Sequence, residues 1–285
     1  MSAWKSYGKL FLCGLAVWGC GDMRVPLPFV DNGNGDDNEF TLTAKVRDFK
    51  EGNAVDNTGT HPNFNQSRWT CDPSMGTTVE EDLAVGGAST SFAGDNRSPK
   101  LSSSLTAIQA RCFEPQDRFG DWFQDMGPDV NRTYLLNLQF TKDGNGMFTF
   151  RDIRFFPLDN GGPSRKVTSG DPDPFGNLQS GSKDEVDLTQ HNYGFTVEFH
   201  GQFKYQAGKG HVINLEGDDD LWVFINGKRA LDLGGMHPSQ SGSIKLDDLG
   251  LTDGSTYPID FFFAERSVAS SKLSISSNVK FSGVK

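Results

Sequence analysis

Apolar residues recur at every second position through much of this chain. Phe40, Leu42, Ala44 and Val46 alternate with Thr41, Thr43 and Lys45, the period of a half-buried strand. Phe195, Val197 and Phe199 alternate with Thr196, Glu198 and His200, and Tyr257, Ile259, Phe261 and Phe263 repeat the pattern near the C-terminus. Residues 134–140 and 147–150 read as two strands joined through Asp143-Gly144-Asn145-Gly146. Residues 221–225 are apolar without a break. Asn226-Gly227 behind them suits a tight type I′ turn, which needs positive φ at both central positions. No segment sustains an apolar stripe of helical period, and only residues 105–110 read as a turn or two of helix. Short strands with Gly, Asn and Asp turns predict an all-β fold, an antiparallel β-sandwich with long Gly/Ser/Asn-rich loops, with a barrel as the alternative.

The N-terminus does not fit this pattern. Lys5 and Lys9 precede an apolar run at residues 10–19, too short to span a bilayer and built like a cleaved export signal. Val17-Trp18-Gly19-Cys20 resembles a bacterial lipobox, with Trp18 in an unusual position. The expectation is a signal peptide over 1–19, lipidation at Cys20, and a protein exported to the outer membrane or cell surface that touches membrane only through its anchor. A simple secretory peptide cut nearby is the alternative. Residues 20–38 read as a flexible tether. Their Asp/Asn/Gly run has the outline of an EF-hand loop, but Gly33, Gly35 and Leu42 stand where ligands belong. A single domain is expected over 39–285, with residues 72–111 as a long surface excursion. In an oxidising compartment the remaining cysteines, Cys71 and Cys112, are expected to pair, closing a loop of about 40 residues at a gain of roughly 3–4 kcal/mol. Two buried free thiols are the alternative.

Charge narrows the function. A net charge of −10 argues against nucleic acid as a partner, because phosphate backbones need basic surfaces. No Gly-x-Ser-x-Gly elbow, HExxH helix or phosphate loop is present, so no enzyme class is indicated. The concentrated chemistry lies at Asp218, Asp219 and Asp220, directly before the 221–225 run. Three adjacent carboxylates repel one another, and a hard cation such as Ca²⁺, which prefers oxygen ligands, relieves that repulsion. A solvated acidic turn is the plain alternative. Trp222 sits among apolar neighbours and reads as core, whereas Trp122 and Phe123, in a Gly-Asp-Trp-Phe-Gln run, are candidates for exposed stacking platforms.

The words GDDDLWVFINGK, ALDLGGMH and STYPIDFFFAER, with VRDF, HPNF, FFPLD and HNYGFTVEFH upstream in the same order, resemble the fibro-slime domain from about residue 40 to 283. That family in turn resembles the PA-fourteen module of anthrax protective antigen, a β-sandwich found in adhesins and glycosidases. The resemblance implies a Ca²⁺ site at Asp218 and Asp219, joined there by a cis peptide, with Asp220 as a third candidate ligand standing where the module has Gly. It also implies ligand contacts from the loops that carry His237, Glu265 and Ser267, the last replacing a family His. A buried Glu265–Arg266 ion pair is expected at the loop base. Asn63 replaces a family Asp. The function so implied is non-catalytic, calcium-assisted recognition of carbohydrate or extracellular polysaccharide in adhesion or matrix. A structural matrix protein with a purely structural ion and an unrecognised glycan-active enzyme are the rivals.

Overall fold

The computed structural model describes residues 37–50, 61–64, 76–85, 97–159, 175, 191–266 and 270–283. The export signal, Cys20, most of the tether, Cys71 and Ser267 lie outside these residues. Strand β1 (Glu39–Phe49) opens the fold where the alternating pattern begins. It pairs antiparallel with β4 (Asn131–Lys142) along its whole length, from Glu39 opposite Thr141 to Phe49 opposite Asn131. On its other side, residues 44–48 pair with β6 (Phe195–Lys204). Strand β11 (Thr256–Glu265) follows, then β8 (Asp220–Ile225), with β9 (Lys228–Leu233) at the edge.

Beyond β4 the ladder turns a corner. β5 (Phe148–Asp152) joins β4 by only two pairs, Thr141 with Thr149 and Lys142 with Phe148. It then pairs fully with β12 (Leu273–Ser277), which leads to β7 (Val212–Gly217) and β10 (Gln240–Lys245). So short a shared ladder lets the second group of strands fold back over the first. The expected antiparallel all-β sandwich is therefore present. Asn226 and Gly227 have φ of 54° and 76°, the left-handed pair the β8–β9 hairpin requires.

Between the two layers lies the main core. Val46, Val197, Phe199, Phe261, Phe263, Leu221 and Val223 from one layer meet Ile213, Leu215, Ile244, Leu273 and Ile275 from the other. Phe199 and Phe261 stack with ring centroids 4.5 Å or less apart, at 4.4 Å. Burying each such side chain contributes about 1.5–3 kcal/mol.

A second core covers the outer face of the first layer, and it corrects two expectations. Residues 221–225 are apolar throughout, and alternate side chains of a strand point to opposite faces. Leu221 and Val223 enter the main core, so Trp222 and Phe224 must be covered from outside. The cover comes from Phe64, Val79, Leu83, Phe113, Phe119, Trp122 and Phe123, which pack there with Phe49 and Phe262. Trp122 and Phe123 are 0% and 3% exposed, so neither is a stacking platform. The short 3₁₀ turn Gln116–Asp121 rotates both rings inward. Nor are the described parts of 72–111 a loose excursion. Residues 79–83 run beside β9, with Asp82 bridging Lys228 and Leu83 N–H donating to the Gly227 carbonyl at 3.0 Å. Helix α1 (Ala107–Cys112), with a Thr106–Gln109 capping box, forms where a helical turn was expected.

Candidate functional site: the acidic turn

β7 pairs with β10 and β12 in one layer, and β8 pairs with β11 and β9 in the other. Asp218 and Asp219 are the two residues between them, so they carry the chain across the sandwich. The crossing is too tight for ordinary backbone. Asp219 has φ of 62°, a left-handed conformation that Asp and Asn tolerate better than other side-chain-bearing residues. Among the described residues the cis peptide is Glu114–Pro115, so the acidic pair is joined by a trans bond and its strain resides in the φ of Asp219.

All three aspartates are buried: Asp218 is 4% exposed, and Asp219 and Asp220 are 0%. A solvated acidic turn is thus excluded. Each carboxylate has a different setting. Ser270 donates its hydroxyl to Asp218 Oδ2, while the Asp218 N–H donates to the Lys272 carbonyl at 3.1 Å. Asp219 Oδ2 accepts the Arg266 backbone N–H at 2.7 Å. Asp220 accepts from Arg266 Nε at 2.6 Å and Nη2 at 3.1 Å, and from the Gly235 N–H at 2.6 Å. The Arg266 ion pair therefore forms with Asp220, not with Glu265 as expected. β11 explains the change: Glu265 and Arg266 are neighbours at its end, so their side chains diverge, and Arg266 turns toward the first residue of β8.

Glu265 is fully buried beside the aspartates. Burial raises its carboxyl well above the usual range, and Asp219 and Asp218 add to the rise. Burial likewise pushes Asp219 up to about 7, helped by Asp220 and Asp218 and opposed by Arg266. Asp218 is raised by burial against the lowering pull of Ser270, Lys272 and His237. Glu265 hydrogen-bonds Ser271 and Asp219, and Lys272 and His237 act on Asp218, so these carboxyls are partnered; yet four carboxyls stand together here, an excess of negative charge that either protons or a cation would offset.

The carboxylates of Asp218, Asp219 and Glu265 and the Ser270 hydroxyl are oxygen donors, the ligand type a hard cation prefers. Among the described residues no three Asp, Glu, His or Cys side chains stand converged as a finished cage. An ion here would draw further ligands from backbone, water or a bound molecule, as Ca²⁺ commonly does. Asp220 is the counter-ion of Arg266. His237, 5% exposed, places Nδ1 3.0 Å from the Pro238 carbonyl and Nε2 3.0 Å from the Leu233 carbonyl, so it braces its own loop.

Three supporting residues were not legible in the sequence. Asp232 accepts from the Thr78 N–H (2.6 Å) and hydroxyl (2.7 Å), the Val79 N–H (3.1 Å), Trp222 Nε1 (3.0 Å) and the Gly234 N–H (3.1 Å). It pins the outer cover to the sheet beside the site. Gly234 is obligatory there, because a Cβ would lie 2.1 Å from the Thr78 hydroxyl and 2.7 Å from Trp222 Nε1. Asn63 accepts from Trp122 Nε1 at 3.1 Å and donates to the Phe113 carbonyl at 3.2 Å, a donation that an ionised Asp could not make. Asn63 thus suits this cover better than the family's Asp would. For Asp232 the only signal was its i, i+2 spacing to Gly234.

The chain thus forms a two-layer β-sandwich with a strained, buried acidic crossing at the head of β8. Residues 170–285 match the family model of the PA14 domain. β1, β4 and β5 precede the matched residues yet complete the same sheet. Protein psiD of Dictyostelium discoideum is 32% identical over 204 residues, 71% of this chain and 36% of that protein. Protein psiC of the same organism is 34% identical over 165 residues, 58% of this chain and 29% of that protein. The chain thus matches about a third of the length of these relatives. Among solved structures, the PA14 sugar-binding domain from an RTX adhesin aligns at a TM-score of 0.24 and 13% identity, covering 35% of this chain and 56% of that one. The PA14 domain of the MpAFP antifreeze protein aligns at 0.24 and 14% identity, covering 35% and 48%.

Proposed function

We propose that the chain is a non-catalytic, exported surface module that recognises carbohydrate with the help of Ca²⁺, in adhesion or extracellular matrix. The observation that carries this reading is the concentration of carboxyls at the acidic turn: Asp218, Asp219, Asp220 and Glu265 are buried together, with Arg266 paired to Asp220 and Lys272 acting on Asp218. Asp218 and Asp219 would hold the ion, with Glu265 behind them. A bound Ca²⁺ supplies coordination positions that vicinal sugar hydroxyls can share. This chain's own residues do the rest. Asp219 holds the crossing in its left-handed conformation, Ser270 orients Asp218, and Arg266 keeps Asp220 out of the ligand set.

Cys20 lipidation and a Cys71–Cys112 bridge belong to the same proposal. Cys112 is disulfide-bonded, and its partner lies outside the described residues. The test is a glycan array probed with and without EGTA. Calcium-dependent binding supports the reading. Retained thermal stabilisation by Ca²⁺ without any glycan signal would favour the structural-ion rival, and sugar release from polysaccharide would favour an enzyme.

A further inference from the structure

Arg266 joins several parts of the molecule around the acidic turn. It is 2% exposed and lies flat against two rings, its guanidinium carbon 4.6 Å from the Trp122 centroid and 5.2 Å from that of Phe113. Nε and Nη2 face Asp220, the backbone N–H faces Asp219, and Nη1 donates to the carbonyl of Cys112 at 2.6 Å. That carbonyl closes the C-terminal end of α1, where a cation is favoured by the helix dipole. Cys112 itself is 3% exposed and disulfide-bonded. One residue therefore spans from the end of a disulfide-bonded helix to two of the three aspartates, its guanidinium on Asp220 and its backbone N–H on Asp219.

We infer that Arg266 is the positioning residue of the acidic turn, and that through it the disulfide at Cys112 sets the shape of the turn. This rests on the reading of the turn as a cation site. The guanidinium fork has fixed directions, so the places of Asp220 and of the Cys112 carbonyl determine each other. A lysine carries the charge but only as a point, and cannot hold both ends. With the cross-link opened, the end of α1 gains freedom, Arg266 keeps only Asp220, and Asp219 loses the fixed N–H that holds its carboxylate.

The test uses the full chain in three forms: oxidised, reduced by dithiothreitol, and oxidised Arg266→Lys. Dithiothreitol gives two electrons and two protons to the disulfide, leaving two thiols and its own cyclic disulfide. Amide hydrogen exchange at 218–221 and 265–266 is read without Ca²⁺, and Ca²⁺ affinity is read by calorimetry well below the unfolding temperature. Both altered forms are expected to exchange faster at those amides and to bind Ca²⁺ about tenfold more weakly, a coupling of ordinary size. Exchange in Arg266→Lys equal to that of the oxidised protein overturns the inference. So does an equal effect from Glu198→Gln, which disturbs the fold elsewhere, because the change would then be global. If the reduced chain unfolds, Arg266→Lys decides alone. If the oxidised protein binds no Ca²⁺ yet the exchange changes appear, the cation reading fails and the positioning role stands.

Discussion

Among the described residues, the buried charged centres around Arg47 and around Arg266 are built in opposite ways. In the first, Arg47 lies between Asp125 (Nε to Oδ1, 2.9 Å) and Glu198 (Nη2 to Oε1, 2.9 Å), and His200 bonds Asp260 through Nδ1 at 2.8 Å. Lys45 also reaches Asp125 (3.2 Å) and Arg97 reaches Asp260 (3.5 Å), so each of the three carboxylates Asp125, Glu198 and Asp260 faces at least one cation across neighbouring strands β1, β6 and β11. Burial raises Glu198, but Arg47 and His200 more than reverse it and hold the carboxyl below its usual range. Burial opposes charge on His200, yet its hydrogen bonds to Asp260 and Glu198 lift it to about 10. In the second centre four carboxyls, at 218, 219, 220 and 265, are buried together, the Arg266 guanidinium pairs with Asp220, and burial drives those of Asp218, Asp219 and Glu265 upward. Burial alone does not mark a functional site. The two centres differ in the direction their carboxyls are pushed: cations hold Glu198 below its usual range, whereas burial and neighbouring carboxyls raise Asp219 and Glu265.

The comparison breaks most visibly at its balanced side. Arg47→Met leaves Glu198 buried without its main counter-ion, and urea unfolding is expected to show a loss of about 3–5 kcal/mol. The next effect is a pH dependence from His200. Its folded pKa of about 10 lies above the ordinary 6.5, so the folded state binds the proton more tightly. The stability it contributes is fully present below about 6.5 and is lost as pH rises through about 10. Thermal melts of the wild type are expected to fall across that window, and His200→Gln to remove most of the slope.

At the acidic turn the sign reverses. Asp219→Asn removes a charge that burial disfavours and keeps a side chain suited to positive φ. It is expected to stabilise the calcium-free protein by about 1 kcal/mol at pH 8 while reducing its response to Ca²⁺. A loss of stability without Ca²⁺ would mean that the turn has no excess of negative charge. The smallest effect is expected at the surface. Lys228 and Asp82 are 2.7 Å apart but 56% and 68% exposed, so Lys228→Ala should leave the unfolding midpoint unchanged within error.

Much of this architecture was legible in residue patterns. Alternation located β1, β6 and β11, Asn226-Gly227 located the hairpin, and the acidic triplet marked the turn before β8, though not that it crosses between layers. The second core was written into the sequence as well, in the unbroken run 221–225, but its consequence for Trp122 and Phe123 depended on a 3₁₀ turn that no period announces. Long-range pairing was the illegible part. Nothing in Glu265-Arg266 says which side chain turns toward Asp220, because adjacent strand residues point opposite ways and only the tertiary arrangement picks the partner. The hub at Asp232 escaped for the same reason, since Thr78 lies 154 residues away.

The most direct measurement is the thermal unfolding of the wild type and of the Asp218→Asn, Asp219→Asn double variant, each with EGTA and with saturating Ca²⁺. If the excess negative charge at the turn is offset by Ca²⁺, the wild type is stabilised by about 2–4 kcal/mol at a hundred to a thousand times Kd, and the double variant does not respond. A wild-type melting temperature unmoved by Ca²⁺, or an equal shift in both proteins, would contradict the account.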